Sequence, residues 1–201
     1  MSKIFVISDY HFNHNKEFIY GKRGFSSVEE MNMALVSCHN CVVSPEDTVY
    51  VLGDVCMGGM ETLASSKKLI ESLNGHLHII RGNHDTDMKV QMYLTCKNVV
   101  EADKWAEMLR YEKQSFYLSH FPSVVRNIDD DEPNKKSIIN LFGHTHQDTL
   151  FYGENANMFH VGADSGAFVP WALDEILEYI NYAKSRKEMG IEISSLKCID
   201  L

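Results

Sequence analysis

Residues 4–11 have the sequence IFVISDYH, an apolar run that ends directly in Asp9 and His11. Four adjacent apolar residues, Ile4 to Ile7, are typical of a strand that is buried on both faces, as in a parallel sheet. Parallel strands deliver the loops that follow them to one edge of the sheet, where α/β folds build their sites. We therefore expect an α/β fold with a functional site that begins at Asp9.

The same arrangement, a short apolar run followed by polar residues, occurs four more times. The later clusters are Gly53-Asp54, Gly82-Asn83-His84-Asp85, the single His120 and Gly143-His144-Thr145-His146. Loops that follow the strands of an open α/β sheet converge, so the Asp, Asn and His side chains of all five clusters should gather at one edge. These residue types bind divalent metals, and one carboxylate can be shared between two cations. The pattern therefore predicts a metal site with two ions.

The segments between the clusters alternate strands with helices in the first half of the chain and are rich in strands in the second half. Strands are expected at residues 4–7, 49–52, 77–80, 105–111, 116–119, 138–142 and 158–161. Helices are expected from Ser27 with Glu30 as its capping partner, over about 60–73, and from Pro170 to near Gly190.

This order of elements favours a four-layer α/β/β/α sandwich with two mixed sheets and helices outside. No repeat, low-complexity tract or linker divides the 201 residues, so we expect a single domain over residues 1–201.

The composition is that of an ordinary soluble globular protein, with 44% apolar and 23% charged residues. No apolar run is long enough for a membrane span, and the N-terminal apolar run is too short for a secretory signal. The odd number of cysteines, five, fits a reducing compartment better than a disulfide framework. We expect a cytoplasmic protein that does not interact with membranes.

The net charge of −9 argues against stable binding to nucleic-acid backbones. A metal site would reverse the charge locally, because two divalent cations with Asp9, Asp54 and a bridging hydroxide would leave roughly +1. We therefore expect a small phosphorylated substrate as the partner.

The five clusters together resemble the pattern of the calcineurin-like metallophosphoesterase superfamily: D-x-H, G-D, G-N-H-[DE], H and G-H-x-H. Every block is present in the right order between residues 9 and 146. A closer resemblance to small single-domain bacterial and phage members rests on residues 25–31, 47–50 and 173–176. Any one block is weakly specific, but the ordered set is highly specific.

The resemblance implies the roles of the metal ligands. Asp9, His11 and His146 would hold the first metal, Asn83, His120 and His144 the second, and Asp54 would bridge the two. The cofactor would be two divalent metal ions. Manganese is the expected metal, and iron, nickel or zinc would also suit mixed nitrogen and oxygen ligands.

The resemblance also implies an activity, hydrolysis of a phosphate ester by in-line attack of a metal-bridging hydroxide. His84 would assist the leaving group, and Asp85 would orient the His84 imidazole. The preference for a phosphodiester comes from the family alone. The alternatives are a phosphomonoesterase that acts on nucleotides or phosphoprotein, and a non-catalytic metal-binding scaffold, which the presence of His84 and Asp54 disfavours.

Other polar residues carry weaker signals. Arg23, Arg126 and His14 are candidate substrate contacts, although exposed surface charge is an equal interpretation of the arginines. The polar stretch 123–137 is typical of a solvated loop that borders the site. Cys38-His39-Asn40-Cys41 has the spacing of a zinc or redox motif, but it lies within the predicted helix, which favours buried packing of both cysteines.

Overall fold

The N-terminal apolar run forms a central strand of a mainly parallel sheet in the computed structural model, which describes residues 2–125 and 137–198. The strands of this first sheet are β1 (Ile4–Ile7), β2 (Thr48–Leu52), β3 (His76–Ile80), β4 (Val99–Lys104) and β10 (Trp171–Ala172). Their order is β10-β1-β2-β3-β4, and only β10 runs antiparallel to its neighbour.

The second sheet is also mixed. Its strands are β5 (Ala106–Tyr111), β6 (Gln114–Ser119), β7 (Ile139–Phe142), β8 (Phe151–Tyr152) and β9 (Asn155–His160). Their order is β5-β6-β7-β9-β8, in which β6, β7 and β9 are parallel and the two outer strands are antiparallel. The predicted pair of mixed sheets is therefore confirmed.

Within residues 2–125 and 137–198, five α-helices accompany the sheets. They are α1 (Glu17–Tyr20), α2 (Val28–Val42), α3 (Leu63–Glu71), α4 (Asp87–Tyr93) and α5 (Leu173–Glu188). The predicted cap of α2 is confirmed, because the Ser27 hydroxyl oxygen accepts a hydrogen bond from the Glu30 N–H at 3.1 Å. None of the helices in the described ranges combines the length and apolar composition needed to cross a membrane.

Two apolar clusters use the opposite faces of the first sheet. Ile7 and Val51 pack in one cluster with residues of α2, α3 and α4, such as Leu35. Val6 and Leu52 pack in the other, which joins the first sheet to the second sheet and α5. Strands that are buried on both faces are expected to be continuously apolar. This is why the sequence predicted these strands clearly.

The predictions were less accurate for short or polar elements. Helix α5 begins at Leu173, because the residues after Pro170 form the two-residue strand β10. Helix α4 has only seven residues, too few to show helical periodicity, and the edge strand β4 is rich in charged residues. Neither was predicted.

In the Cys38-His39-Asn40-Cys41 motif at the end of α2, the buried side chain is the histidine and not the cysteines. His39 is fully buried; its Nδ1 accepts a hydrogen bond from the Tyr10 hydroxyl, and its Nε2 donates to the Asn74 carbonyl oxygen at 2.8 Å. Cys41 is exposed and Cys38 is half-buried, so the expected burial of both cysteines is wrong. Burial lowers the pKa of His39 to about 4, against a weaker opposing effect of the hydrogen bond to Asn74.

His39 should make stability depend on pH below neutrality. In the unfolded chain a histidine takes up a proton near pH 6.5, whereas the folded chain resists protonation down to about pH 4. The unfolded state therefore binds more protons in this window, and stability that is full above pH 6.5 falls by up to about 3 kcal/mol as the pH drops to 4. Urea unfolding of the chelator-treated protein at pH 7, 6 and 5 measures this loss.

His39→Gln is the matched variant, because glutamine does not titrate. Between pH 6.5 and 4, the free energy of unfolding of the variant should fall less steeply than that of the unaltered protein. The two slopes should differ by about 1 kcal/mol per pH unit. Identical slopes in the two proteins would contradict the prediction.

Candidate metal centre

The five clusters lie at the carboxyl ends of β1, β2, β3, β6 and β7, as the sequence predicted. Their backbone is strained: five residues in these loops have φ between 48° and 68°, a conformation that non-glycine residues seldom adopt. These residues are Asp9, His11, Asp54, His144 and His146. Clusters of such strain are characteristic of functional sites, because the surrounding structure must compensate for its cost.

Two glycines allow the backbone to pack against the carboxylates. A side chain on Gly82 would overlap with the Asp54 carboxylate, and one on Gly143 would overlap with the Asp9 carboxylate and the Ser8 hydroxyl. Both positions therefore require glycine, because any side chain there would displace a carboxylate of the site.

The first group of candidate ligands contains Asp9, His11 and His146, whose ligand atoms lie within 4.8 Å of one another. Asp9 Oδ1 is 3.8 Å from the Nε2 atoms of both histidines. Asp9 Oδ1 and His11 Nε2 are buried and have no hydrogen-bond partner among the described residues. Buried polar atoms are nearly always paired, so these two atoms fit a cation between them.

The second group contains Asp9, Asp54 and His120. His120 Nδ1 lies 2.8 Å from the Leu52 carbonyl oxygen, to which it can only donate. In the neutral ring Nε2 then carries a lone pair, yet its neighbours are Asp54 Oδ2 at 3.5 Å and Asn83 Oδ1 at 2.9 Å. Two oxygens that face a nitrogen lone pair repel it, and a cation among the three atoms would remove the repulsion.

His144 completes the cluster at its exposed side. Its ring centroid is 5.1 Å from that of His120, and its backbone N–H donates to Asp9 Oδ2 at 2.9 Å. Burial lowers the pKa of His144 and, despite the nearby Asp9, that of His11. Both rings therefore favour the neutral form that a metal ligand needs.

The Asp9 carboxylate favours the charged form. Burial by itself raises the pKa of Asp9, but the neighbouring imidazoles of His11, His146 and His120 outweigh it and lower the pKa well below its usual range. A charged carboxylate with neutral imidazoles is the protonation pattern that binds a divalent cation.

Asp164 is a functional residue that the sequence reasoning missed. Its Oδ2 accepts a hydrogen bond from His146 Nδ1 at 2.7 Å, which raises the pKa of His146 and directs Nε2 toward Asp9. Carboxylates commonly orient metal-binding histidines in this way. Asp164 follows the buried run at the end of β9. The pattern that revealed the other clusters, a polar residue after a short apolar run, could therefore have revealed Asp164.

Arg23 does not have the geometry of a substrate contact, and that expectation needs correction. Its side chain is only 3% exposed, and its guanidinium forms a two-point ion pair with Asp164 at 2.9 and 3.1 Å. It also donates to the backbone carbonyl oxygens of Asp9 and Tyr10. Burial raises the pKa of Asp164, but His146 and Arg23 lower it to about 2. Arg23 therefore supports the loop of the first cluster.

The two other candidate substrate contacts are His14 and Arg126, and only His14 lies within the described residues. His14 lies beside the centre, with its Nδ1 3.3 Å from His11 Nδ1. Burial, together with the neighbouring His11 and His84, lowers its pKa to about 4. Arg126 and most of the 123–137 stretch lie outside the described residues.

Asp85 bonds to the backbone instead of orienting the His84 imidazole. Its carboxylate accepts hydrogen bonds from the N–H groups of Asp54 at 2.8 Å, Val55 at 3.3 Å and Gly82 at 2.9 Å. The Tyr93 hydroxyl donates to the same carboxylate at 2.7 Å. Asp85 thus ties the loop after β2 to the loop after β3.

Helix α4 supplies two side chains that support this junction. Tyr93 is fully buried, and burial beside Asp85 raises the pKa of its hydroxyl well above the usual range, so it stays a donor. Lys89 is 4% exposed and donates to the backbone carbonyl oxygens of Cys56 and His84 at 2.7 and 2.8 Å. The loop that carries His84 is therefore fixed from the side of α4.

His84 itself extends toward solvent. Its side chain is 45% exposed, its Nε2 is 3.9 Å from Asp54 Oδ2, and its backbone N–H donates to Asp54 Oδ1 at 2.8 Å. The imidazole therefore stands at the entrance of the cluster, within reach of a molecule that binds there.

Known proteins are similar to this chain over most of its length. Residues 2–168 match the calcineurin-like phosphoesterase superfamily domain. An uncharacterized protein of Methanocaldococcus jannaschii is 31% identical over 92% of this chain and 94% of its own length. The gene 66 protein of Mycobacterium phage L5 is 26% identical over 90% of this chain and 96% of its own.

A solved structure with the same fold is that of a protein of unknown function from Aquifex aeolicus. It aligns with a TM-score of 0.64 and 19% identity over 89% of this chain and 100% of its own. The chain belongs to the calcineurin-like phosphoesterase superfamily. It is a hydrolase that acts on phosphate esters, and its His and Asp cluster is a possible site for the metal on which the family depends.

Tyr93→Phe should destabilise the fold. It removes the hydroxyl that donates to the buried Asp85 carboxylate, and a hydrogen bond to a charged group contributes about 1.5–3 kcal/mol. Urea unfolding should show a loss of that size, whereas Tyr152→Phe, at a position that is 48% exposed, should change stability by less than about 0.5 kcal/mol. Equal losses in the two variants would show that the bond to Asp85 contributes nothing specific.

Proposed function

We propose that this chain is a phosphodiesterase that uses two divalent metal ions. The observation that supports the proposal is the place of the Asp54 carboxylate. Its Oδ2 lies 3.7 Å from His11 Nε2 and 3.5 Å from His120 Nε2, so it faces both groups of candidate ligands at once. A carboxylate in that place is suited to hold two cations.

The proposed ligand sets follow the family pattern. The first metal would be held by Asp9, His11 and His146, the second by Asn83, His120 and His144, and Asp54 would bind both. The unpaired atoms of Asp9 and His11 support the first set, and the lone pair of His120 that faces Asn83 supports the second. Manganese is the metal that we propose, and iron, nickel or zinc would suit the same donors.

The bound metals would supply a hydroxide nucleophile and Lewis acidity toward the phosphoryl oxygens. The chain supplies the proton. We infer that His84 donates it to the leaving oxygen, because its imidazole is exposed at the entrance while its backbone is held by Asp54 and Lys89. Asp164 would keep the His146 lone pair directed at the first metal by accepting the Nδ1 proton.

The pairing of arginines near the centre favours a diester over a monoester. A phosphomonoester carries up to two negative charges, whereas a diester carries one. Within the described residues, Arg23 is paired with Asp164, and Arg81 is paired with Asp87 at 2.6 Å. Neither guanidinium is therefore free to neutralise the second charge of a phosphomonoester. The charge of roughly +1 expected for the metal-loaded centre matches the single charge of a diester.

Two variants should separate turnover from metal loading. We expect His84→Ala to keep its bound metal and to lower kcat by about 10²–10⁴-fold, the scale of lost acid catalysis. Asp54→Asn should lower the metal content from two ions per chain to one or fewer, because a neutral amide cannot hold two cations as a carboxylate does. Elemental analysis and turnover of an aryl phosphodiester measure both effects.

Unchanged turnover in His84→Ala would exclude His84 as the acid. Two ions per chain in Asp54→Asn would contradict the bridging role.

The substrate class is tested with bis(p-nitrophenyl) phosphate and p-nitrophenyl phosphate, which release the same product. With manganese supplied, we expect kcat/KM for the diester to exceed that for the monoester by at least about tenfold, that is, by about 1.4 kcal/mol in activation free energy. Equal values, or a preference for the monoester, would favour a phosphomonoesterase that acts on nucleotides or phosphoprotein.

A further inference from the structure

Phe121 is a large apolar side chain that is exposed beside the candidate metal centre. It directly follows His120, which is 1% exposed, yet Phe121 itself is 43% exposed. Its backbone carbonyl oxygen accepts hydrogen bonds from the Ser119 and Ser123 hydroxyls at 2.8 and 3.1 Å. These bonds fix the turn, so the ring is held at the surface by a defined structure.

The Phe121 ring contacts the two histidines that we assign to the second metal. Its centroid is 5.1 Å from that of His120 and 4.7 Å from that of His144, with interplanar angles of 75° and 62°. The proposed acid, His84, contacts a different histidine, since its ring lies 5.7 Å from that of His11. Phe121 therefore contacts two proposed ligands of the second metal, whereas His84 contacts His11, a proposed ligand of the first, and faces Asp54.

Exposure of this ring to water is unfavourable unless something covers it. A phenyl ring can neither bind a metal nor transfer a proton, so its use at the edge of a metal site is contact with an organic group. Aromatic rings prefer to pair with other flat rings in stacked or edge-to-face geometry. The two histidine rings meet Phe121 at steep angles and cover only part of it, so its exposed surface remains for such a pair.

We propose that Phe121 binds the retained ester group of a phosphodiester, the group that does not leave, by stacking on its planar aromatic ring. The proposal rests on the proposed function and narrows its substrate class to diesters that carry a nucleobase or aryl group on the retained side. The leaving group would lie toward His84, and the retained group toward the second metal and Phe121.

The experiment compares two diesters with the same leaving group, phenyl p-nitrophenyl phosphate and methyl p-nitrophenyl phosphate, on the manganese-loaded protein. We expect Phe121→Ala to lower the phenyl-to-methyl ratio of kcat/KM about tenfold, mainly through a higher KM for the phenyl ester. Phe121→Tyr should keep the ratio, because it keeps the ring. Met189→Ala, at a position that is 67% exposed at the end of α5, should keep it too.

An unchanged ratio in Phe121→Ala would overturn the proposal. An equal loss with both esters would overturn it as well, because that result would mean that Phe121 only packs against His144.

An equilibrium binding measurement distinguishes failure of the phosphodiesterase proposal from failure of the Phe121 proposal. If the loaded protein hydrolyses neither diester, the phosphodiesterase proposal fails, and calorimetric titration with phenylphosphonate and methylphosphonate then decides the role of Phe121. Tighter binding of phenylphosphonate that is lost in Phe121→Ala would support a stacking site. Equal binding of the two phosphonates by the unaltered protein would overturn it.

Discussion

Buried oxygen and nitrogen atoms with unshared electron pairs face one another at the carboxyl edge of the parallel sheet. Nδ1 of His120 faces the Leu52 carbonyl and Nδ1 of His146 faces Asp164, so in the neutral rings both Nε2 lone pairs face the carboxylates of Asp54 and Asp9. Such a group repels itself unless positive charge lies within it. The arrangement is therefore built for cations, and the rest of the fold holds it together.

The cost of this assembly is visible in the backbone. Left-handed conformations at Asp9, His11 and Asp54 are unfavourable for residues with side chains. The loops keep them because the strands that precede them are buried on both faces and are fixed by neighbouring parallel strands. Gly82 and Gly143 contribute by leaving room for the carboxylates, so the glycines of the motifs are as necessary to the geometry as the ligands.

Much of the fold and most of the candidate ligands were predictable from sequence for one reason. Buried strands contain short apolar runs that can be recognised from local sequence, and each proposed ligand follows such a run. The partners of Arg23 and Asp85 were not predictable, because the acceptor that a side chain reaches depends on segments distant in the chain: Arg23 bonds to Asp164, 141 residues away. Asp164 was missed although it obeys the same rule, and α4 was too short to show a period.

The Asp85 carboxylate also has a dynamic consequence. The backbone amides of Asp54, Val55 and Gly82 all close on this one side chain, although they belong to loops that follow two different strands. None of the three can lose its bond to Asp85 by local fraying of its own loop without disturbing the carboxylate that the others share. Their hydrogens should therefore exchange with solvent in a single cooperative opening, in which the loops after β2 and β3 behave as one unit.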